Sequence, residues 1–295
     1  MRRIAAIGGV AVLAGCVAPS GPPPVAAPPV VAVPSPPVPV VPAVFRMTGV
    51  PMQGGLVRGQ APNGAVSVML DDKPVAVAGD GRFILGFDRD APGTARLVAM
   101  LGDGRQVTQA LTVAPREWRI ERVDAPYRAG KSDAEFDAAR PAELAQIVAA
   151  RARVTDAAGW RQPMRWPASG RQSGWFGAQR VYQGKPGSYH GGADVAVPTG
   201  TPVMAPADGV VILAADRPFT LEGNLLMIDH GMGLNSAMLH LSRIDVRVGD
   251  HVRQGQPVGL SGATGRATGP HLHWGLQWRG AKLDPLLVVG VGPAG

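Results

Sequence analysis

The chain has 295 residues, 45% apolar and 17% charged, which leaves room for two domains with proper cores. Its formal charge of +7 and pI near 10.3 suit an anionic partner such as a cell wall or membrane surface. The cations are scattered and no aromatic-interleaved basic patch occurs, which argues against nucleic acid, and the single cysteine excludes an internal disulfide.

Residues 1–16 have the form of a processing segment, with Arg2 and Arg3 as the charged start, an apolar run from Ile4 to Leu13, and Leu13-Ala14-Gly15-Cys16 as the small-residue cleavage site. An apolar run of about ten residues is too short to cross a bilayer as a helix. Leu-Ala-Gly-Cys resembles the lipobox of bacterial lipoproteins, which implies a membrane anchor through lipid on Cys16. Cleavage there removes Arg2 and Arg3 and lowers the formal charge from +7 to +5. Val17 after the cysteine favours the outer membrane, facing the periplasm. Residues 17–44 are almost entirely Pro, Val and Ala, with Ser20, Gly21 and Ser35 and without a charge, the composition of an extended, Pro-rich disordered linker. At roughly 3.1 Å per residue it could reach on the order of 85 Å.

Residues 45–124 change character. Strand-like runs at 65–70, 82–87 and 95–100 are separated by Asp71-Asp72, Gly79-Asp80-Gly81 and Gly102-Asp103-Gly104. Short strands with tight turns predict a small β-sandwich of immunoglobulin-like type. The block has no histidine and no catalytic spacing, so it is expected to be a spacer or the surface for another envelope protein. Residues 125–158 form a helical connector. Pro141 suits a first helical turn, Leu144, Ile147, Val148 and Ala152 make its apolar stripe, and Ser132 caps a preceding turn.

The last block, 159–290, holds the chemistry. Four of the six histidines fall in His190-Gly-Gly-Ala-Asp194, Leu239-His240-Leu241 and His271-Leu272-His273. A hydrolytic zinc takes three His, Asp, Glu or Cys ligands and leaves one position to water. His190 and Asp194 can curl around one ion from a single turning segment. Leu272, Trp274, Leu276 and Trp278 alternate with His271, His273, Gly275 and Gln277, the period of a strand. His271 and His273 therefore share a face, where one can bind metal and the other stay free for proton transfer. Either motif alone is a weak signal. Together they are strong, because burying three imidazoles and a carboxylate without a metal or paired charge is unfavourable. The tryptophans are expected in the core, His230 and His251 on the surface, and Asp208 and Asp284 in turns or at strand ends. Loops 178–188 and 216–223 are expected to wall a groove.

These motifs resemble the signature of lysostaphin-type (LytM-domain) zinc metallopeptidases, as do Pro198-Thr-Gly-Thr-Pro-Val203, Ala205-Pro-Ala-Asp-Gly-Val-Val211 and Ile228-Asp-His-Gly231. The resemblance runs from about Gly174 to Pro285. It implies a mainly β protein whose C-terminal antiparallel domain hydrolyses peptide bonds of bacterial peptidoglycan. It assigns one Zn2+ per chain to His190, Asp194 and His273, with His240 and His271 as unligated catalytic histidines. In a Gram-negative envelope the bond expected is the D-alanyl-diaminopimelyl cross-link. The rival expectation is a non-catalytic or self-inhibited lipoprotein that binds peptidoglycan or activates a wall amidase. Met238-Leu239-His240 stands where the family more often has Tyr-Ala-His or Tyr-Leu-His, which bears on groove shape alone.

Overall fold

The computed structural model describes residues 21, 43–124 and 134–293. The leader, Cys16, most of the proline-rich tract and the Ser132 cap lie outside the described residues. The described chain is mainly β, as expected, and among the described residues its sheets are antiparallel with one exception.

The first seven strands are β1 (Arg46–Thr48), β2 (Leu56–Gln60), β3 (Ala65–Leu70), β4 (Lys73–Val75), β5 (Arg82–Gly86), β6 (Thr94–Leu101) and β7 (Gln106–Thr112). They form two sheets, β1-β2-β5 and β4-β3-β6-β7. Asp71-Asp72 makes a two-residue turn between the paired Leu70 and Lys73, with Asp71 at φ 52°. Val57, Phe83 and Leu85 of one sheet meet Val68, Leu97 and Leu111 of the other in a shared core, where Phe45 packs edge-on to Phe83 at 6.1 Å.

That core does not stop at the end of the first block. It continues into Trp274, Trp278 and Leu283, and Gly86 lies so near that a Cβ there would be 2.9 Å from the Trp278 Cβ. Strand β8 (Ile120–Val123) leaves the first sheets altogether. It pairs in parallel with β10 (Gln179–Tyr182), whose other neighbour is β11 (Lys185–Pro186).

Helix α1 (Ala134–Arg151) differs from the expected connector. It starts seven residues before Pro141, which lies in its interior rather than its first turn. Its buried residues are Glu143, Ile147 and Ala150, while Leu144 and Val148 are exposed. The reason is polar. The Glu143 carboxylate accepts from Thr220 N–H at 2.6 Å and Thr220 Oγ1 at 2.7 Å, and Arg140 forks onto Glu222 at 2.6 and 2.8 Å. These bonds rotate the helix so that Ile147 and Ala150 meet Ile212, Phe219, Leu225 and Met227.

The remaining strands are β9 (Arg171–Gly174), β12 (Ala193–Ala196), β13 (Pro202–Met204), β14 (Gly209–Ala214), β15 (Asn224–Asp229), β16 (Leu234–Leu241), β17 (Arg243–Ile244), β18 (His251–Val252), β19 (Pro257–Leu260), β20 (Leu272–Trp278) and β21 (Ala281–Leu283). The main sheet has the order β18-β14-β15-β16-β20-β12-β9, with β21 on β20; a smaller one has β13-β19-β17. Along β20 burial alternates as the sequence period demands, with Leu272, Trp274, Leu276 and Trp278 buried. The short helix α2 (Pro285–Val289) closes the described chain, capped by Asp284. Among the described residues no helix is long and apolar enough to cross a membrane.

Candidate metal centre and catalytic groove

Register brings the first two ligand candidates together. In the β12–β20 ladder Asp194 lies opposite His273, and opposite residues of an antiparallel pair project from the same face. His190 approaches from the segment before β12, pinned by its N–H to Ala178 O at 2.8 Å and by Gly177 N–H to its own carbonyl at 2.9 Å. The result is a triangle of donor atoms. His190 Nε2 is 3.0 Å from Asp194 Oδ1 and 3.0 Å from His273 Nδ1, and the latter two atoms are 2.8 Å apart.

The chemistry of this triangle fits a metal cation. His190 Nδ1 faces the Trp175 carbonyl at 3.1 Å and must carry hydrogen to donate to it. That leaves a lone pair on Nε2 aimed at a carboxylate oxygen and a second imidazole nitrogen, an arrangement that is repulsive unless positive charge sits among them. The pKa shifts agree in sense. Burial pulls His190 down, but the Asp194 carboxylate outweighs it and the net shift is upward. Burial likewise pushes Asp194 up, yet the adjoining imidazoles of His190 and His273 outweigh it and hold its carboxyl far below the usual range. Edges of 2.8–3.0 Å are near the ~3.3 Å expected between tetrahedral ligands at about 2.0–2.1 Å from an ion. These residues form the group of His, Cys, Asp and Glu side chains able to hold a metal among the described residues.

Glycines make room for the cluster. A Cβ at Gly174, which pairs with Asp194 across β9 and β12, would be 2.1 Å from Asp194 Oδ2. One at Gly192 would be 2.4 Å from the Trp274 carbonyl and 2.7 Å from His273 Nε2. The sequence carries no mark of this role, because it becomes visible only through register.

His240 and His271 stand opposite the triangle, their rings 4.9 Å apart. Each anchors Nδ1 on a backbone carbonyl at 2.8 Å, His240 on Thr264 and His271 on Gly269. In the neutral form each therefore presents a bare Nε2, and that of His271 is 4.0 Å from Asp194 Oδ1. Burial lowers the His240 pKa and favours this neutral state. His240 reaches its place through strained backbone. Its φ is 63°, and the β15–β16 register skips between Asn224 and Leu226, so the strand bulges at this residue. Leu239 keeps the ladder contact with His273, and the bulge turns the next side chain towards His271.

The cluster lines an open groove of about 1020 Å³. Residues of the 178–188 loop form one wall and Leu221 of the 216–223 loop contributes opposite. Arg119, Ile120 and Glu121 also line it, a contribution the sequence did not signal. A second cavity beside His273 is walled by α1 through Arg140, Leu144, Ile147 and Arg151.

His230 is a correction. It is fully buried rather than on the surface, with Nδ1 on the Asp208 carbonyl and Nε2 on Ser236 Oγ, both at 2.8 Å. Ser236 Oγ also accepts from Trp274 Nε1 at 3.2 Å. Burial pushes His230 down and keeps it neutral, so it braces β16 and β20 behind the site. The turn Asp229-His230-Gly231 looked exposed because its polarity is satisfied only by distant residues. His251 is exposed, Asp208 binds Gln162 and Gln254, and Asp284 caps α2 and pairs with Arg116 at 2.9 Å.

Residues 188–285 match the model of peptidase family M23. Two curated relatives give the likeness more detail. Peptidoglycan DD-endopeptidase ShyA of Vibrio cholerae is 46% identical over 97 residues, 33% of this chain and 22% of the relative. DD-carboxypeptidase/endopeptidase Mpg of Neisseria meningitidis is 41% identical over 100 residues, 34% of this chain and 23% of the relative. The match thus spans less than a quarter of either relative's length. A solved structure from Pseudomonas aeruginosa described as an M23 peptidase superposes with a TM-score of 0.62 at 29% identity, covering 82% of this chain and 96% of that one.

Proposed function

We propose that the chain is a zinc-dependent endopeptidase that hydrolyses peptide cross-links of bacterial peptidoglycan, with the D-alanyl-diaminopimelyl bond as its target. The observation that carries this reading is the pairing of the His190-Asp194-His273 triangle with two histidines whose Nε2 atoms are left bare in a groove. The name of ShyA as a peptidoglycan DD-endopeptidase supports the substrate class, and that of Mpg as a DD-carboxypeptidase/endopeptidase supports the reaction. Two nitrogens and one carboxylate oxygen are a borderline-soft donor set that suits zinc. When bound, zinc supplies Lewis-acid polarisation of the scissile carbonyl and lowers the pKa of water towards about 7.

The chain's own residues do the rest. His190 and His273 hold their coordinating nitrogens in place, the former through its bond to the Trp175 carbonyl. His271, with Nδ1–H tied to Gly269, accepts the proton of the attacking water at Nε2 and returns it to the leaving amine. His240 faces the same space with its own Nε2. It accepts a hydrogen bond when neutral and stabilises a developing oxyanion once protonated. The 178–188 and 216–223 loops orient the peptide along the groove.

In this reading Cys16 carries the lipid anchor, the outer membrane is the site of attachment, and the proline-rich tract carries the peptidase towards the wall. The first seven strands serve as a spacer or as the surface for another envelope protein. A second reading, a self-inhibited enzyme, draws on α1, whose Arg140 and Glu143 clasp Glu222 and Thr220 beside the His273 cavity. Incubating the full chain with isolated sacculi, with and without chelator, tests both. Release of un-cross-linked muropeptides that stops with chelator and in His271→Ala establishes the endopeptidase. Bound zinc without cleavage, relieved by Arg140→Ala, favours self-inhibition; neither zinc nor cleavage defeats the enzymatic reading.

A further inference from the structure

Arg119 lies outside the span matched by family M23, yet it faces the same groove as the histidines. Its guanidinium stacks on Trp175, 3.7 Å from the ring centre, and the Trp175 carbonyl is the group that fixes His190. One tryptophan therefore sets the position of the arginine relative to the metal triangle. The backbone of Arg119 is equally constrained. Gln179 N–H donates to its carbonyl at 3.0 Å, and the next residue begins the β8–β10 ladder. On the other side Trp118 is wedged edge-on to Phe176 at 5.8 Å and under Arg116 at 4.6 Å. Gly177 at φ 78° passes beneath it, where a Cβ would be 2.2 Å from the indole. The segment is too tightly held for Arg119 to be a drifting surface charge.

Its charge is also left for a ligand. Arg180 of the same groove binds Glu121 at 2.6 Å, and Arg266 covers the Phe136 ring at 3.9 Å. Arg119 is exposed and, among the described residues, has no acidic partner. A guanidinium held over an aromatic face can still offer its N–H groups to a ligand, and its fork matches a carboxylate in a bidentate way. The Asp194 carboxylate in the groove is already engaged by two histidines.

We propose that Arg119 is a specificity-determining residue that binds a free carboxylate of the peptide substrate, away from the bond cut. The proposal rests on the hydrolase reading above and adds that the groove is composite. The segment that follows the β-sandwich builds one of its walls, and peptides whose carboxylates are free are preferred over the same peptides amidated.

The test uses the purified full chain and two synthetic cross-linked stem peptides, identical except that the carboxylates of one are converted to amides. The wild type is expected to favour the free acid by about tenfold in kcat/KM, the worth of one charge-assisted contact. Arg119→Ala removes that preference by raising KM for the acid alone, and Arg119→Lys restores part of it, having charge without the fork. Equal losses on both peptides, or no loss on either, overturn the proposal. If the wild type cuts neither peptide, the hydrolase reading fails by itself, and calorimetric binding of the same peptides decides on Arg119. A preference for the acid that disappears in Arg119→Ala then supports it, and equal affinities overturn it.

Discussion

Gly174→Ala puts the metal centre to a test without touching a ligand. Gly174 lies across the ladder from Asp194, and an added Cβ would sit 2.1 Å from Oδ2, 2.6 Å from Cγ and 2.9 Å from the Asp194 Cβ. An ordinary contact needs about 3.5 Å, so the carboxylate must move by roughly 1.4 Å. It cannot swing away freely, because Oδ1 is held at 3.0 Å by His190 and 2.8 Å by His273. Metal ligands tolerate about 0.2 Å of error, so the displacement is several times what the site can absorb. Gly174 is not in the left-handed region, which makes the effect steric rather than a matter of backbone strain. The expected result is a metal affinity lowered at least tenfold to a hundredfold, and peptidase activity lowered by on the order of a hundredfold. Overpacking adds a stability loss of about 1–3 kcal/mol. Affinity is measured by competition against a chromophoric chelator, beside a melting curve. Wild-type affinity in folded Gly174→Ala protein would refute the assignment of Asp194 as a ligand.

Other expectations follow from the same geometry. His190→Ala, Asp194→Ala and His273→Ala lose both bound metal and activity, whereas His271→Ala retains metal and loses about 10²–10⁴ in rate; metal analysis showing normal zinc in His273→Ala protein would overturn the ligand set. Chelation lowers the melting temperature, and metal restored at 100 times its Kd returns about 2.7 kcal/mol, so a melting curve indifferent to chelator speaks against a resident ion. At Glu143 burial pushes the carboxyl up, but Thr220 and Arg140 outweigh it and hold the pKa below its ordinary value. Such a group stabilises the fold above its unfolded pKa of about 4.3, and the contribution is lost as pH falls through the folded value. The melting gap between wild type and Glu143→Gln is therefore full near neutrality and narrows as pH falls below the unfolded value; a gap that does not narrow on acidification would refute the linkage.

How far the sequence reached depended on whether the information was local. The two-residue period of β20 foretold its buried and exposed faces because side-chain alternation follows from strand geometry alone. The strands at 65–70 and 82–87 were legible from their turns for the same reason. Helix α1 was not: its apolar residues suggested a stripe through Leu144 and Val148, but a buried carboxylate bonded to Thr220, 77 residues away, decided which face turns inward. No periodicity can announce a polar residue whose partner is that distant.

The candidate site divides in the same way. Which side chains can coordinate a cation, and that two histidines two residues apart share a face, is settled by residue type and local geometry. That His190 offers Nε2 and His273 Nδ1, that His240 turns towards His271 through a bulge at φ 63°, and that His230 is a buried brace were decided by tertiary structure. So was the place of Arg119, carried into the groove by a strand pairing with residues about sixty positions away. The sequence by itself determined the chemical inventory and its local periods. Only the folded chain, by setting register between distant strands, determined which atoms of that inventory face one another, because hydrogen bonding and steric exclusion act through space and not along the chain.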